Sequence, residues 1–219
     1  MPTRTEAEEH LRIIRSLMEK ATIYRAISAP TALVGGLLSV LAAFLFSISF
    51  SPPMRVDRHV TQRWFLITWL AVLGLTAAAN TYFIWKDAQR RGDPFLSKGM
   101  RLALLSLLPP FVCAAFATFV LAGGAYLLPP AWMISYGLGL LATCHFAPRS
   151  IGILGWAFLI AGCFITIQMS SWDFYSMSGM DHLAPESNES MAFTFGLFHI
   201  IYAACTWSRK PAANSGGEA

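Results

Sequence analysis

The chain has 219 residues, of which 55% are apolar and 13% charged, with a net charge of +4. A soluble domain carries nearer 25% charged residues because these side chains cover a surface that faces water. The low charge and a mean hydropathy of +0.52 exclude an ordinary soluble domain. The positive charges lie beside apolar segments instead of forming one patch, so no nucleic-acid partner is predicted.

Residues 5–25 form the only substantial segment of soluble character and are predicted to be an amphipathic helix within a cytoplasmic region, 1–28. Thr5 and Glu8 have the spacing of a capping box. Apolar residues then recur at intervals of three and four, which makes one apolar stripe. Basic residues among them predict contact with anionic lipid headgroups, and a cytoplasmic protein partner is the alternative; they are Arg12, Arg15, Lys20 and Arg25.

Six apolar segments predict an all-α membrane protein, a bundle of about six transmembrane helices spanning 29–207. The tail, 208–219, is predicted to be disordered and cytoplasmic. Of the 16 lysines and arginines, three flank the spans on one side and the rest lie on the other, the side of both termini. This asymmetry predicts a multi-pass membrane protein with both ends in the cytoplasm. The predicted spans are about 29–50, 64–84, 102–125, 130–147, 151–169 and 191–207.

Small residues recur every four positions along the first span, at Gly35, Ser39, Ala43 and Ser47. Such a stripe lets another helix approach closely. It predicts packing within the chain or, as the alternative, a homodimer interface. Gly74 with Ala78, and Gly152 with Gly155, predict similar contacts.

Few polar residues lie inside the spans. Asn80, His145 and His199 form a candidate intramembrane polar site, since such groups are costly in lipid. Pro109 and Pro110 are a candidate kink in the third span, which would free backbone carbonyls. Ligation of haem or a metal by both histidines would require one depth, but they differ by about five residues, near 8 Å along a helix.

The segment 170–190 is predicted to be an outer loop. Its Met177, Met180 and His182 could bind a soft metal such as copper, while a solvated acidic loop is the alternative. Asn188 begins a glycosylation sequon, which has no meaning in a bacterial protein. The four cysteines lie in apolar runs and are predicted to be free thiols. No catalytic motif is found, so neither an enzyme nor a cofactor is predicted.

Several short motifs resemble those of an uncharacterised family of bacterial six-span inner-membrane proteins with a cytoplasmic juxtamembrane helix. The resemblance implies topology and location and transfers no site. The motifs are Leu107-Leu108-Pro109-Pro110, Leu128-Pro129-Pro130-Ala131-Trp132, Tyr136-Gly137, His145-Phe146-Ala147-Pro148-Arg149 and the run from Phe195 to Tyr202.

Three functions remain open from the sequence. The first is a non-enzymatic membrane component that anchors, senses or regulates. The second is a transporter or channel for a small solute or metal, lined by Asn80, His145, His199 and the carbonyls near Pro109. The third is a membrane redox or metal-binding protein that uses His199 with His145, or the 177–182 segment.

Overall fold

The computed structural model describes residues 8–14, 29–50, 58–91, 98–121, 127–144, 147–175 and 183–207. Of these residues 97% are helical and none lies in a strand. The all-α class is therefore confirmed. All four cysteines lie in the described ranges and are free thiols, as predicted.

The helices follow the apolar segments in chain order. Residues 8–14 are helical and precede the bundle. The last membrane helix has three consecutive parts, α6, a π-helix and α7. The bounds are α1 (Ala29–Ser49), α2 (Arg58–Arg91), α3 (Lys98–Leu121), α4 (Leu128–Ala142), α5 (Arg149–Tyr175), α6 (Leu183–Met191), the π-helix (Ala192–Phe198) and α7 (His199–Trp207).

Within the described ranges, five helical segments are long and apolar enough to cross a membrane, namely α1, His59–Arg90, Met100–Leu121, Arg149–Met169 and Ser187–Trp207. The apolar helix α4 has 15 residues. At 1.5 Å per residue it covers roughly 22 Å, which is shorter than the hydrocarbon core of a bilayer. The predicted fourth span, 130–147, extends past the observed helix, which ends at Ala142 with Thr143 as its C-cap.

Two other boundaries differ from the prediction because polar residues continue a helix beyond its apolar part. Helix α2 has 34 residues, against the predicted 64–84. The predicted loop 170–190 is helical over 170–175 and 183–190, so the prediction of a loop is wrong there. Met177, Met180 and His182 lie outside the described residues.

The helices pack as two groups. Helix α1 packs against α2 and along the whole last helix, while α4 packs against α3 and α5. Aromatic side chains join the groups: the ring of Phe65 in α2 stacks on Trp132 in α4, with centroids 6.2 Å apart. Phe158 in α5 contacts Phe195 in the π-helix, with centroids 4.9 Å apart.

Glycine permits the closest contact in the second group. A β-carbon on Gly137 of α4 would lie 2.8 Å from the carbonyl oxygen of Gly155 in α5. Helices in a membrane gain stability from such close backbone contact because lipid provides no hydrophobic force between them.

Candidate functional site

The imidazole of His199, the first residue of α7, uses both ring nitrogens in hydrogen bonds. Its Nε2 lies 2.8 Å from the hydroxyl oxygen of Tyr136 in α4. Its Nδ1 lies 2.9 Å from the carbonyl oxygen of Phe195. A carbonyl only accepts, so Nδ1 carries the proton. In the neutral ring Nε2 then accepts a hydrogen bond from the Tyr136 hydroxyl.

Aromatic rings surround this pair. The ring of Tyr136 lies 4.8 Å from that of Phe158 and 5.3 Å from that of Phe195, between centroids. The imidazole lies 5.4 Å from the Phe158 ring and is nearly parallel to the Phe195 ring. Phe158 itself is fully buried. The hydrogen bond therefore lies in an apolar environment, where breaking it would leave two polar groups unpaired.

The π-helix ends directly before His199, which is its C-cap residue. The backbone N–H of His199 donates to the carbonyl of Gly196, three residues earlier. In an α-helix that N–H would donate to the carbonyl of Phe195, and here the His199 ring bonds to that carbonyl instead. This three-residue bond is of the tighter 3₁₀ type, and it follows directly on the wider π-helix, Ala192–Phe198. π-Helical turns inside α-helices often occur at functional sites.

A glycine contact holds the π-helix against α1. A β-carbon on Gly36 would lie 2.9 Å from the carbonyl oxygen of Gly196, and one on Gly196 would lie 2.7 Å from Val40. Both glycines are buried. The irregular segment that precedes His199 is thus packed closely against α1.

Most of the predicted stripe of small residues packs within the chain. A β-carbon on Gly35 would lie 2.9 Å from the Thr76 methyl group of α2. Ser39 is buried and donates to the Gly35 carbonyl at 2.9 Å. The carbonyl of Ala43 accepts from the side-chain amide of Asn188 at 2.9 Å. Ser47 is exposed and does not pack within the chain, so only the homodimer alternative stays open for it.

The other glycine predictions divide in the same way. Gly155 packs closely against α4, as described above, whereas a β-carbon on Gly152 would make only an ordinary contact, 3.8 Å from Cys144. Gly74 has open space around it, and both it and Ala78 are exposed. Gly74 and Ala78 therefore do not pack against another described helix of the same chain, and a homodimer contact at this position stays a prediction.

The predicted polar site is only partly described. Asn80 is half-buried in α2, one turn beyond Thr76, and His145 lies outside the described residues. Within the described part of the chain, the side chain that bonds to His199 is that of Tyr136. No group of three or more histidine, cysteine or acidic side chains in that part could hold a metal ion.

The proline pair leaves its helix continuous, since α3 runs through Pro109 and Pro110. Pro109 is exposed and Pro110 is half-buried near Gly139 of α4. The side chains of this pair thus lie at the periphery and at the contact with α4.

The predicted polar site does not include Tyr136, although a tyrosine in an apolar segment could have been recognised from the sequence as a polar candidate. A tyrosine inside an apolar helix needs a partner for its hydroxyl. Comparison of its depth with that of His199 could have suggested the pair. Asn188, the first residue of the sequon, is buried, and its amide bonds to α1.

The chain matches no family model, no curated protein and no solved structure. The interpretation of the site rests on its geometry.

Proposed function

We propose that the chain is a non-enzymatic component of the bacterial inner membrane that anchors, senses or regulates through its N-terminal helix. The observation that carries this proposal is the exposure of apolar side chains in residues 8–14. Leu11 is 65% exposed, and Ile13 and Ile14 are each 52% exposed. Side chains of this type outside a membrane span are stabilised by burial in a lipid surface.

Basic residues supply the second part of the interaction. Arg12 is exposed within the described helix. Arg15, Lys20 and Arg25 follow in the sequence, outside the described residues. Anionic headgroups attract such residues with about 1 kcal/mol each near the surface. We therefore assign anionic lipid as the first partner of this helix.

The polar contacts inside the bundle support a structural role for the membrane part. The indole N–H of Trp132 donates to the Thr118 hydroxyl at 2.8 Å and ties α4 to α3. Asn188 ties α6 to α1, and Tyr136 ties α4 to α7. These side chains stabilise helix contacts. In this proposal α4, with the residues on either side of it, completes a sixth crossing.

Hydrogen–deuterium exchange tests the lipid contact in the full chain. The protein is reconstituted into nanodiscs of zwitterionic phosphatidylcholine, with or without anionic phosphatidylglycerol. We expect slower exchange of the amides in residues 8–14 when the anionic lipid is present. The double variant Leu11→Glu/Ile14→Glu should lose protection in both lipids, whereas Arg12→Gln should lower only the part that depends on anionic lipid.

Glu9→Gln is the matched control because it changes the charge of an exposed acidic side chain and leaves the apolar residues in place. It should retain protection. Equal exchange of residues 8–14 in both lipids and in the double variant would refute the lipid contact. Unchanged localisation, associated proteins and phenotype after removal of residues 1–25 would refute the functional role.

A further inference from the structure

Three buried polar atoms have no hydrogen-bond partner among the described residues. They are Nε2 of Gln62, Nε1 of Trp69 and Oδ1 of Asn188. The side chains of Trp69 and Asn188 are each 3% exposed, and that of Gln62 is 9% exposed. Two of the atoms donate hydrogen bonds and one accepts, so their requirements are complementary. Burial without a partner is costly, which points to a bound molecule.

Two of these side chains lie on one face of α2. Gln62, Phe65 and Trp69 are spaced by three and four residues, which places them on the same side of a helix. This face packs against α1, where the Phe46 ring lies 6.0 Å from the Phe65 ring. Gln62 is nearer the end at which α2 begins, and Trp69 is deeper.

Asn188 belongs to the same layer as Trp69. Its amide bonds to the carbonyl of Ala43, three residues before Phe46 on α1. Trp69 lies four residues after Phe65 on α2, and the two helices are antiparallel neighbours. Because the helices are antiparallel, Ala43 and Trp69 lie on the same side of the Phe46–Phe65 contact. Along the helix axes, Ala43 is about 4.5 Å and Trp69 about 6 Å from that contact. Helix α6, which carries Asn188, also packs against α2.

We propose that Trp69 and Asn188 bind a small uncharged molecule with a hydroxyl group between α1, α2 and α6. The hydroxyl accepts from the Trp69 indole N–H and donates to Oδ1 of Asn188. Water is the smallest molecule with this chemistry, and an alcohol-bearing solute is the other source. Gln62, about 10 Å from Trp69 along the helix, offers a further donor on the route from the end at which α2 begins. This site is independent of the N-terminal helix and of its lipid contact.

Nuclear magnetic resonance of indole groups tests the site in the full chain. The protein is labelled with ¹⁵N-tryptophan in nanodiscs, and Trp69→Phe and Trp132→Phe assign the two signals. Trp132 is the matched control because its Nε1 already bonds to Thr118. We expect a magnetisation-transfer cross-peak between water and the Trp69 indole proton that is stronger than any at Trp132.

Glycerol, added as the probe, distinguishes the two sources. Saturable movement of the Trp69 signal, without movement at Trp132, identifies an alcohol-binding site. A strong water cross-peak that glycerol does not change identifies bound water. The absence of both results would overturn the proposal.

The variant Asn188→Leu tests whether the two side chains share the molecule. The water cross-peak or glycerol response of Trp69 should fall to the Trp132 level, while an unchanged Trp132 shift reports that the bundle is intact. If the Trp132 shift moves in Asn188→Leu, the variant Gln62→Leu is used in its place. We then expect a weaker water cross-peak or glycerol response of Trp69. An unchanged Trp69 response in an intact variant would overturn the shared site.

Discussion

Gly36 and Gly196 face each other where α1 meets the π-helix, and a β-carbon on Gly36 would lie 2.9 Å from the Gly196 carbonyl oxygen. Three residues after Gly196, His199 bonds to Tyr136 of α4. The last helix is thus held by close packing against one helix group and by a hydrogen bond to the other.

Substitution of Gly36 by alanine should destabilise the protein. The added methyl group would meet backbone atoms of the last helix, including the Ile200 nitrogen at 3.1 Å, which cannot move independently. We expect a loss of about 1–3 kcal/mol, the usual effect of overpacking. Reversible unfolding in mixed micelles measures it.

Gly74→Ala is the control for that variant, because a β-carbon added to Gly74 of helix α2 would have nothing within 4 Å of it. Alanine should be neutral there or more stable by about 0.5–1 kcal/mol, through its higher helix propensity. Equal effects of the two substitutions would contradict the close contact of Gly36 with Gly196.

Tyr136→Phe should weaken the connection between the two helix groups. It removes the hydroxyl that bonds to Nε2 of His199 and keeps the ring packed against Phe158. Hydrogen bonds between membrane helices contribute about 0.6 kcal/mol on average and up to about 1.7. A double-mutant cycle with His199→Phe isolates the coupling in the same unfolding assay.

Tyr82→Phe serves as the comparison, since Tyr82 is an exposed tyrosine in α2. Its cycle with His199→Phe should show no coupling. A coupling energy near zero for Tyr136 and His199 would mean that their bond does not stabilise the fold.

Much of the fold follows from the sequence because the long apolar runs near α1, α3 and α5 coincide with helices that are long and apolar enough to cross a membrane. The ends of helices are harder to predict where they consist of polar residues. Helix α2 continues through Arg58 and Arg90 because charged residues are compatible with a helix outside the hydrocarbon core, and an apolar count cannot locate its ends.

The candidate site was less predictable. His199 is recognisable as a polar residue within a span, but Tyr136 is 63 positions away and its pairing depends on how two helices meet. The π-helix packs against α1 at Gly36 and Gly196. The residue pattern of one helix does not show such a contact between two helices, so the π-helix was not predicted. Ser47 continues the four-residue spacing of the stripe and is nevertheless exposed, because spacing alone does not show how far along a helix its neighbours pack.

Phe158 and Phe119 should respond very differently to the same substitution. Phe158 is fully buried and contacts both members of the Tyr136–His199 pair, whereas Phe119 of α3 is 83% exposed. Removal of a buried phenyl group leaves a cavity and costs about 3–5 kcal/mol in well-packed cores. We expect a large loss of stability for Phe158→Ala and a change within about 0.5 kcal/mol for Phe119→Ala.

Both variants are measured by unfolding in the same micelles. A large effect of Phe119→Ala would reveal a contact that the isolated chain does not contain, such as a second copy packed on α3. A small effect of Phe158→Ala would contradict its central position between the helix groups.

The orientation inferred from charge can be tested by chemical labelling. Residues near Ser51 are predicted to face the periplasm, and those near Ser215 the cytoplasm, because the lysines and arginines are concentrated on the side of the two termini.

The four native cysteines are replaced by alanine, and Ser51→Cys and Ser215→Cys are made one at a time. Neither change alters the charge distribution. A membrane-impermeant maleimide added to intact spheroplasts should label position 51 and not position 215, and both should react after lysis. Labelling of position 215 in intact spheroplasts would reverse the orientation and would place the basic N-terminal helix, together with its proposed lipid contact, on the other side of the membrane.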